Sequence, residues 1–103
     1  MAAWSPRYPL DEQGVRCAPT DPGVYRLYVR TAYHELKVFY VGQSEDLRRR
    51  LREHIGPDEA NACIRRKLDL PCEYDFTVVR GESERREREA ELVRAIHPEC
   101  NQG

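Results

Sequence analysis

Five side chains in this sequence sit where folding alone gives little reason for them: Tyr25, Tyr40, Arg50, His54 and Glu89. Glu89 belongs to a helical stretch in which, at about 100° per residue, positions 89, 92, 93 and 96 share one side. Leu92, Val93 and Ile96 are core residues, and Glu89 is a carboxylate among them. An acid on an apolar stripe is costly unless it is paired or bound to a cation. The alternatives are that Glu89 lies at the edge of the stripe or pairs with a neighbouring Arg. Arg50 and His54 stand four apart, hence on one helix face. That face flanks Leu47 and Leu51 and points partly toward a sheet, whereas Arg48, Arg49 and Arg52 point elsewhere. A guanidinium held there is a bidentate clamp for phosphate. His54 could donate to the same group, or be a helix-end imidazole favoured by the dipole. Tyr25 and Tyr40 stand in Gly23-Val24-Tyr25 and Tyr40-Val41-Gly42, and each taken alone reads as a buried structural phenol. Together, two phenols, one Arg, one His and one Glu are the parts for a metal-assisted attack on a phosphodiester. The carboxylate supplies a hard oxygen ligand for Mg²⁺, the guanidinium meets the charge that builds on phosphorus, and a phenol orients or deprotonates water.

These residues need a scaffold, and 103 residues allow one domain. Hydrophobic residues at 40% and charged residues at 34% suit a small globular protein, and exclude collagen, a disordered tail or a coiled coil. The longest apolar run in the body of the chain, Val38 to Val41, is far short of the roughly 20 residues of a membrane span. The N-terminus lacks the basic start and apolar stretch of a signal peptide. The expectation is a soluble, intracellular (cytoplasmic) protein.

Residues 1–21 show no period and read as an irregular N-terminal arm, with Trp4 and Tyr8 packing back on the core. Residues 22–103 read as a single domain. Val24 to Arg30 alternates, with Tyr25, Leu27 and Val29 on one face, and predicts a strand. Lys37 to Val41 predicts a second, stopped by Gly42, the two forming an antiparallel hairpin. Ser44 reads as the N-cap of a helix that runs to about Ile55 and carries Leu47, Leu51 and Ile55 on its apolar stripe. A second helix is predicted between Asp58 and Leu70, a third strand at Glu73 to Val79, and a third helix from Ser83 to about Ile96. The order β-β-α-α-β-α predicts an α/β fold, a small three-stranded, mainly antiparallel sheet flanked by helices.

Net charge is −1, so the whole-molecule field does not announce a nucleic-acid binder. Its distribution says more: from Arg48 to Lys67 seven basic residues face three acids, a local excess of +4. Such a patch suits a polyanion touched locally, or is simply a solvated helix face. Arg48, Arg49, Arg52 and Gln43 are the candidate phosphate contacts outside the central group. Cys17, Cys63, Cys72 and Cys100 include no Cys-x-x-Cys pair and no zinc-finger spacing, so the expectation is reduced thiols packed as small hydrophobes.

The sequence from Pro22 to Asn101 resembles the GIY-YIG nuclease superfamily, which includes the N-terminal nuclease domain of the excision-repair protein UvrC and several homing and restriction endonucleases. Gly23-Val24-Tyr25 stands where that family has Gly-Ile-Tyr, and Tyr40-Val41-Gly42 where it has Tyr-Ile-Gly. The family's catalytic Arg falls ten residues after the second Tyr, on Arg50, with His or Tyr one turn later, on His54. Its metal-binding Glu lies twelve residues before the Asn of a Pro-x-x-Asn terminus, which Pro98-Glu99-Cys100-Asn101 places on Glu89. Gln43 stands where Lys is frequent, and Cys100 replaces the usual aromatic. The resemblance implies an endonuclease using Mg²⁺ (or Mn²⁺) on Glu89, with Tyr25 activating water, Tyr40 and His54 bonding to the phosphate or the water, Arg50 stabilising the transition-state charge and Asn101 holding the site from behind. DNA is the implied partner, single-stranded, duplex or branched, with a protein partner supplying specificity. The alternative is a catalytically inactive nucleic-acid-binding module of the same fold.

Overall fold

The computed structural model describes residues 3–101, so the outermost ends of the two expected segments, residues 1–2 and 102–103, lie outside the described residues. Strand β1 is Tyr8–Pro9, β2 Gly23–Arg30 and β3 Leu36–Ser44. Helices α1, Leu47–Ile55, and α2, Ala62–Lys67, follow, then β4, Cys72–Val78, and α3, Glu82–Ile96. The sheet has four strands in the order β1-β4-β2-β3, every neighbouring pair antiparallel. This corrects the expected three strands. The added one is two residues long, too short for any period, and is held by pairing Tyr8 with Tyr74 and Pro9 with Glu73. Proline is tolerated there because β1 is an edge strand. Among the described residues, no helix is long and apolar enough to cross a membrane.

The period of two in β2 divides the core. Tyr25, Leu27 and Val29 join Tyr74, Leu47, Leu51 and Ile64 under α1 and α2. Val24 faces the other way, with Val41 and Val79, against Leu92, Val93 and Ile96 of α3. Beyond the reach of α3, the same face holds Asp75, which takes two hydrogen bonds from the Arg26 guanidinium at 2.9 and 2.6 Å and one from the Tyr28 hydroxyl at 3.0 Å. Trp4 lies over Arg26, 3.6 Å from guanidinium carbon to ring centroid. The N-terminal segment is thus stitched to both sides of β4.

Strand β3 runs through Gly42 to Ser44, further than expected. Leu27 pairs with Tyr40 but Tyr28 with Val38, so Phe39 is an extra residue. This bulge lets Phe39 enter the core beneath α1 while Tyr40 packs against the same cluster. Because β3 includes Ser44, the N-cap of α1 is Asp46, whose carboxylate accepts from the Arg49 amide at 3.0 Å. The Ser44 hydroxyl accepts from the Asp46 amide instead. Likewise α2 starts only after Asn61, whose side chain accepts from the Ile64 amide.

The expectation of four reduced thiols fails for two of them. Cys63 on α2 and Cys100, in the short 3₁₀ turn Glu99–Asn101, form a disulfide with their Cα atoms 5.3 Å apart. Sequence spacing could not reveal it, because the two are 37 residues apart and meet only when α2 packs on the C-terminal turn. Cys17 and Cys72 are free. A cross-link closing a loop of that length restricts the unfolded chain by about 4 kcal/mol. Urea unfolding with and without dithiothreitol should therefore show a lower midpoint under reduction, and a Cys63→Ala/Cys100→Ala variant should unfold at one midpoint under both conditions.

Candidate active site

The site is built around a close approach of two strands. Tyr25 on β2 lies opposite Gly42 on β3 and is fully buried. A Cβ on Gly42 would overlap the phenol carbon and oxygen of Tyr25, so only glycine lets that ring cross the neighbouring strand. On the far side the Tyr25 hydroxyl meets Nε2 of His54, 2.6 Å away. His54 is fully buried at the end of α1, on the face that carries Leu47 and Leu51. Its Nδ1 lies 2.7 Å from Oε2 of Glu59, a buried carboxylate in the loop before α2. Oε1 of the same carboxylate accepts from the Asn61 amide at 2.9 Å. Tyr40 completes an aromatic cluster, its ring centroid 6.2 Å from Tyr25 and 5.4 Å from His54.

Arg50 is half-buried one turn before His54. Its guanidinium donates to Glu53 at 3.3 Å, and its charge acts on the Tyr40 phenol. It forms one wall of an open cleft of about 580 Å³ that Tyr40, Glu59, Asn61 and Asn101 also line. Glu89, from α3, approaches the other side of β3. It is half-buried, with the backbone of Gln43 nearby. Asn101 both donates to the Val41 carbonyl and accepts from the Val41 amide, each at 2.8 Å. Asn101 therefore caps the Val41 amide and carbonyl on the free edge of β3, which would otherwise be open to another strand.

Burial sets the protonation states. It pushes Tyr25 well above the usual phenol range, with Tyr40 adding to the rise and Arg50 opposing it. Tyr40 is raised by burial too, against the pull of Arg50. His54 is lowered to about 4, chiefly by burial and then by Arg50, with Glu59 opposing. Burial raises Glu89, while Arg86 and the Gln43 amide draw it back. The resting site thus holds two protonated phenols and a neutral imidazole beside a fixed cation.

Tyr25, Tyr40, Arg50 and His54 form one cluster, and the charge of Glu89 reaches both phenols. The outer candidates lie elsewhere. Arg48 donates to the Ala18 carbonyl at 2.7 Å and the Arg16 carbonyl at 3.4 Å, so it is engaged with the N-terminal segment. The Gln43 side chain accepts from Arg85 at 3.1 Å. Arg49 is exposed, 4.0 Å from Glu45 and from Glu53. Arg52 is exposed and shares a separate hollow with Arg16. Two residues escaped the sequence reading. Glu59 was one acid among several after His54, with no spacing to mark it. Arg85 is a buried guanidinium donating to Gln43 and to the Val79 and Arg80 carbonyls, and only its place four before Glu89 hinted at it.

The donor set suits a hydrated hard cation. Among the described residues no three His, Cys, Asp or Glu converge, and Glu89 has no ion-pair partner within 4.0 Å. One half-buried carboxylate outside any ion pair matches the way Mg²⁺ keeps most of its waters and takes the rest of its ligands from substrate phosphate.

Known proteins are similar to this chain in sequence and fold. Residues 21–102 match the UvrC-like GIY-YIG domain. The UvrABC system protein C of Rhodopseudomonas palustris is 33% identical over 90 residues, which are 87% of this chain and 12% of that protein. That of Bartonella henselae is 30% identical over 92 residues, 89% of this chain and 13% of the relative. This chain thus spans about an eighth of the length of these curated relatives. Among solved structures, the GIY-YIG N-terminal endonuclease domain of UvrC from Thermotoga maritima, bound to magnesium as its catalytic divalent cation, superimposes with a TM-score of 0.70 at 27% identity, covering 87% of this chain and 93% of that one. With its two strand motifs, the helix that follows them and its C-terminal asparagine all within the matched residues, the chain belongs to the UvrC-like GIY-YIG domain family.

Proposed function

We propose that this chain is a divalent-metal-dependent endonuclease that hydrolyses DNA phosphodiester bonds, with residues 22–103 as the nuclease domain. The observation that carries the reading is the 2.6 Å contact between the Tyr25 hydroxyl and His54 Nε2, with Arg50 beside it. Tyr25 receives a proton from the attacking water as its own passes to His54. A standing phenolate is not needed, which matters because burial opposes it. Arg50 bonds to the phosphate oxygens and meets the charge that grows on them in the transition state. Tyr40 orients the phosphate from the other side of the cleft. Glu89 holds Mg²⁺ (or Mn²⁺), which when bound supplies charge neutralisation and a more acidic water. Asn101 keeps β3 straight by occupying the Val41 amide and carbonyl. Arg49 and Arg52, both exposed, contact phosphates outside the cleft.

The relatives' greater length supports a division of labour in which other domains or a protein partner choose the substrate. Contacts this few predict modest, salt-sensitive affinity for DNA. A neutral-pH, cytoplasmic setting suits an imidazole that must begin uncharged.

Two measurements test the reading. Labelled single-stranded, duplex and branched DNA incubated with Mg²⁺ should be cut, and EDTA should stop it. Glu89→Ala, Arg50→Ala and Tyr25→Phe should each slow cutting by at least about a hundredfold. Wild-type rates in Glu89→Ala or Arg50→Ala would refute the assignment, and metal-independent binding without cutting would favour the inactive module. Stability should also report His54. Its folded pKa, about 4, is below the unfolded value of about 6.5, so the unfolded chain binds the extra proton between them. That contribution is complete above about pH 6.5 and is lost as pH falls toward 4, on the order of 3 kcal/mol. Urea melts across this window should show the loss, and His54→Gln should flatten it.

A further inference from the structure

The carboxylate beside His54 belongs to no motif, yet its two oxygens are both committed. Oε1 accepts from the Asn61 backbone amide, a group that can only donate. Oε2 meets His54 Nδ1 at 2.7 Å. The loop is fixed from outside as well: the Arg65 guanidinium donates to the Glu59 carbonyl, and the Asn61 side chain donates to the Cys100 carbonyl at 3.1 Å. Glu59 is buried, its side chain only 5% exposed. The groups facing the imidazole are Tyr25 from β2, Tyr40 from β3, Arg50 and Glu53 from its own helix, and Glu59 from the loop. Of these, only Glu59 touches Nδ1 among the described residues.

We propose that Glu59 is a positioning residue of this site: by accepting at both oxygens it fixes His54 as the Nδ1–H tautomer and leaves Nε2 bare to take the Tyr25 proton. The inference rests on the nuclease reading and deepens it. In the step it serves, a water O–H bond breaks and its proton goes to the Tyr25 oxygen, while the Tyr25 proton goes to Nε2 of His54. The hydroxide forms a bond to phosphorus, the bond from phosphorus to the leaving oxygen breaks, and solvent protonates that oxygen. The imidazolium so formed lies against the Glu59 carboxylate, and as product leaves the relay runs back: Nε2 returns its proton to the Tyr25 oxygen, which gives one up to water. A second role follows from the same contact, since the negative charge of Glu59 favours the proton-loaded ring.

The opposite tautomer would reverse the polarity of the chain. With a proton on Nε2, His54 would donate to the Tyr25 oxygen and could accept nothing from it. Glu59→Gln is built to produce that state. The amide keeps the shape of the carboxylate but has one acceptor. The Asn61 amide claims that oxygen, so the NH₂ faces Nδ1 and the ring moves its proton to Nε2.

The test uses the full chain and two independent readouts. Long-range ¹⁵N–¹H correlation of the imidazole near pH 7.5 should show a protonated Nδ1 in wild type and a protonated Nε2 in Glu59→Gln. Cleavage of labelled DNA with Mg²⁺ should show kcat lower by about 10²- to 10⁴-fold with KM within about threefold. Glu59→Asp, which keeps two acceptors, should retain the wild-type tautomer and recover part of kcat. A Glu59→Gln protein with the wild-type tautomer, or with a switched tautomer and undiminished kcat, would overturn the proposal. If the wild-type chain cuts no DNA, the nuclease reading falls on its own, and the imidazole spectra still decide whether Glu59 sets the tautomer.

Discussion

The arrangement depends on one contact: a tyrosine ring passing over a glycine to reach a buried imidazole. Tyr25 can meet His54 only because nothing projects from Gly42 into its path. Once the phenol is there, α1 cannot shift or rotate without breaking a hydrogen bond in the core, and β2 and β3 cannot slip register, because a slip by one residue would put a side chain where the ring lies. The two short glycine–tyrosine motifs are thus a packing requirement as much as a chemical one. The Arg50 guanidinium is positioned through the same helix, four residues before His54, so its placement is inherited from the core.

The second constraint is the free edge of β3. An edge strand must hide its amides or invite pairing. Here the edge is closed at Val41 by the Asn101 side chain, from the C-terminal third of the chain. Glu89, half-buried on α3, stands near Gln43 of the same strand. Arg85 secures the same stretch by holding the Gln43 side chain together with the carbonyls that end β4. Its charge is met by three neutral acceptors, which costs more than an exposed guanidinium and gains a fixed relation between α3 and the sheet.

Much of this was legible beforehand, and the limits have physical causes. Alternation in Val24–Arg30 revealed which residues of β2 face α1, because a half-buried strand must separate its faces. The four-residue spacing of Arg50 and His54, and the carboxylate on the stripe of α3, exposed three of the site residues for the same reason. The bulge at Phe39 was hidden, since it breaks the alternation that a reader relies on. The first strand was hidden because two residues have no period. Asp46 took the cap from Ser44 because strand pairing extended through Gly42, a tertiary effect that outranks local cap preference. Glu59 and the Cys63–Cys100 bridge are contacts between segments, and no spacing rule records which of several acids or thiols the fold will bring together.

A buried phenol and a buried imidazole are poor acid–base groups in isolation, since the same desolvation that fixes them disfavours their charged forms. Coupling resolves the conflict. In the reaction proposed above, a proton would pass from Tyr25 to His54 as another arrives from water, so the phenol would never carry a full charge and the single charge would appear on the ring next to Glu59. In that proposal the negative charge would develop on the substrate beside Arg50, which would need no reorganisation to meet it. The low-dielectric interior then strengthens each of these interactions while excluding free hydroxide chemistry. A solvent-exposed version of the same five residues would have more ordinary pKa values and a weaker hold on the transition state. For this reason burial, which looks like an obstacle to the chemistry, is the condition that makes so small a set of side chains sufficient.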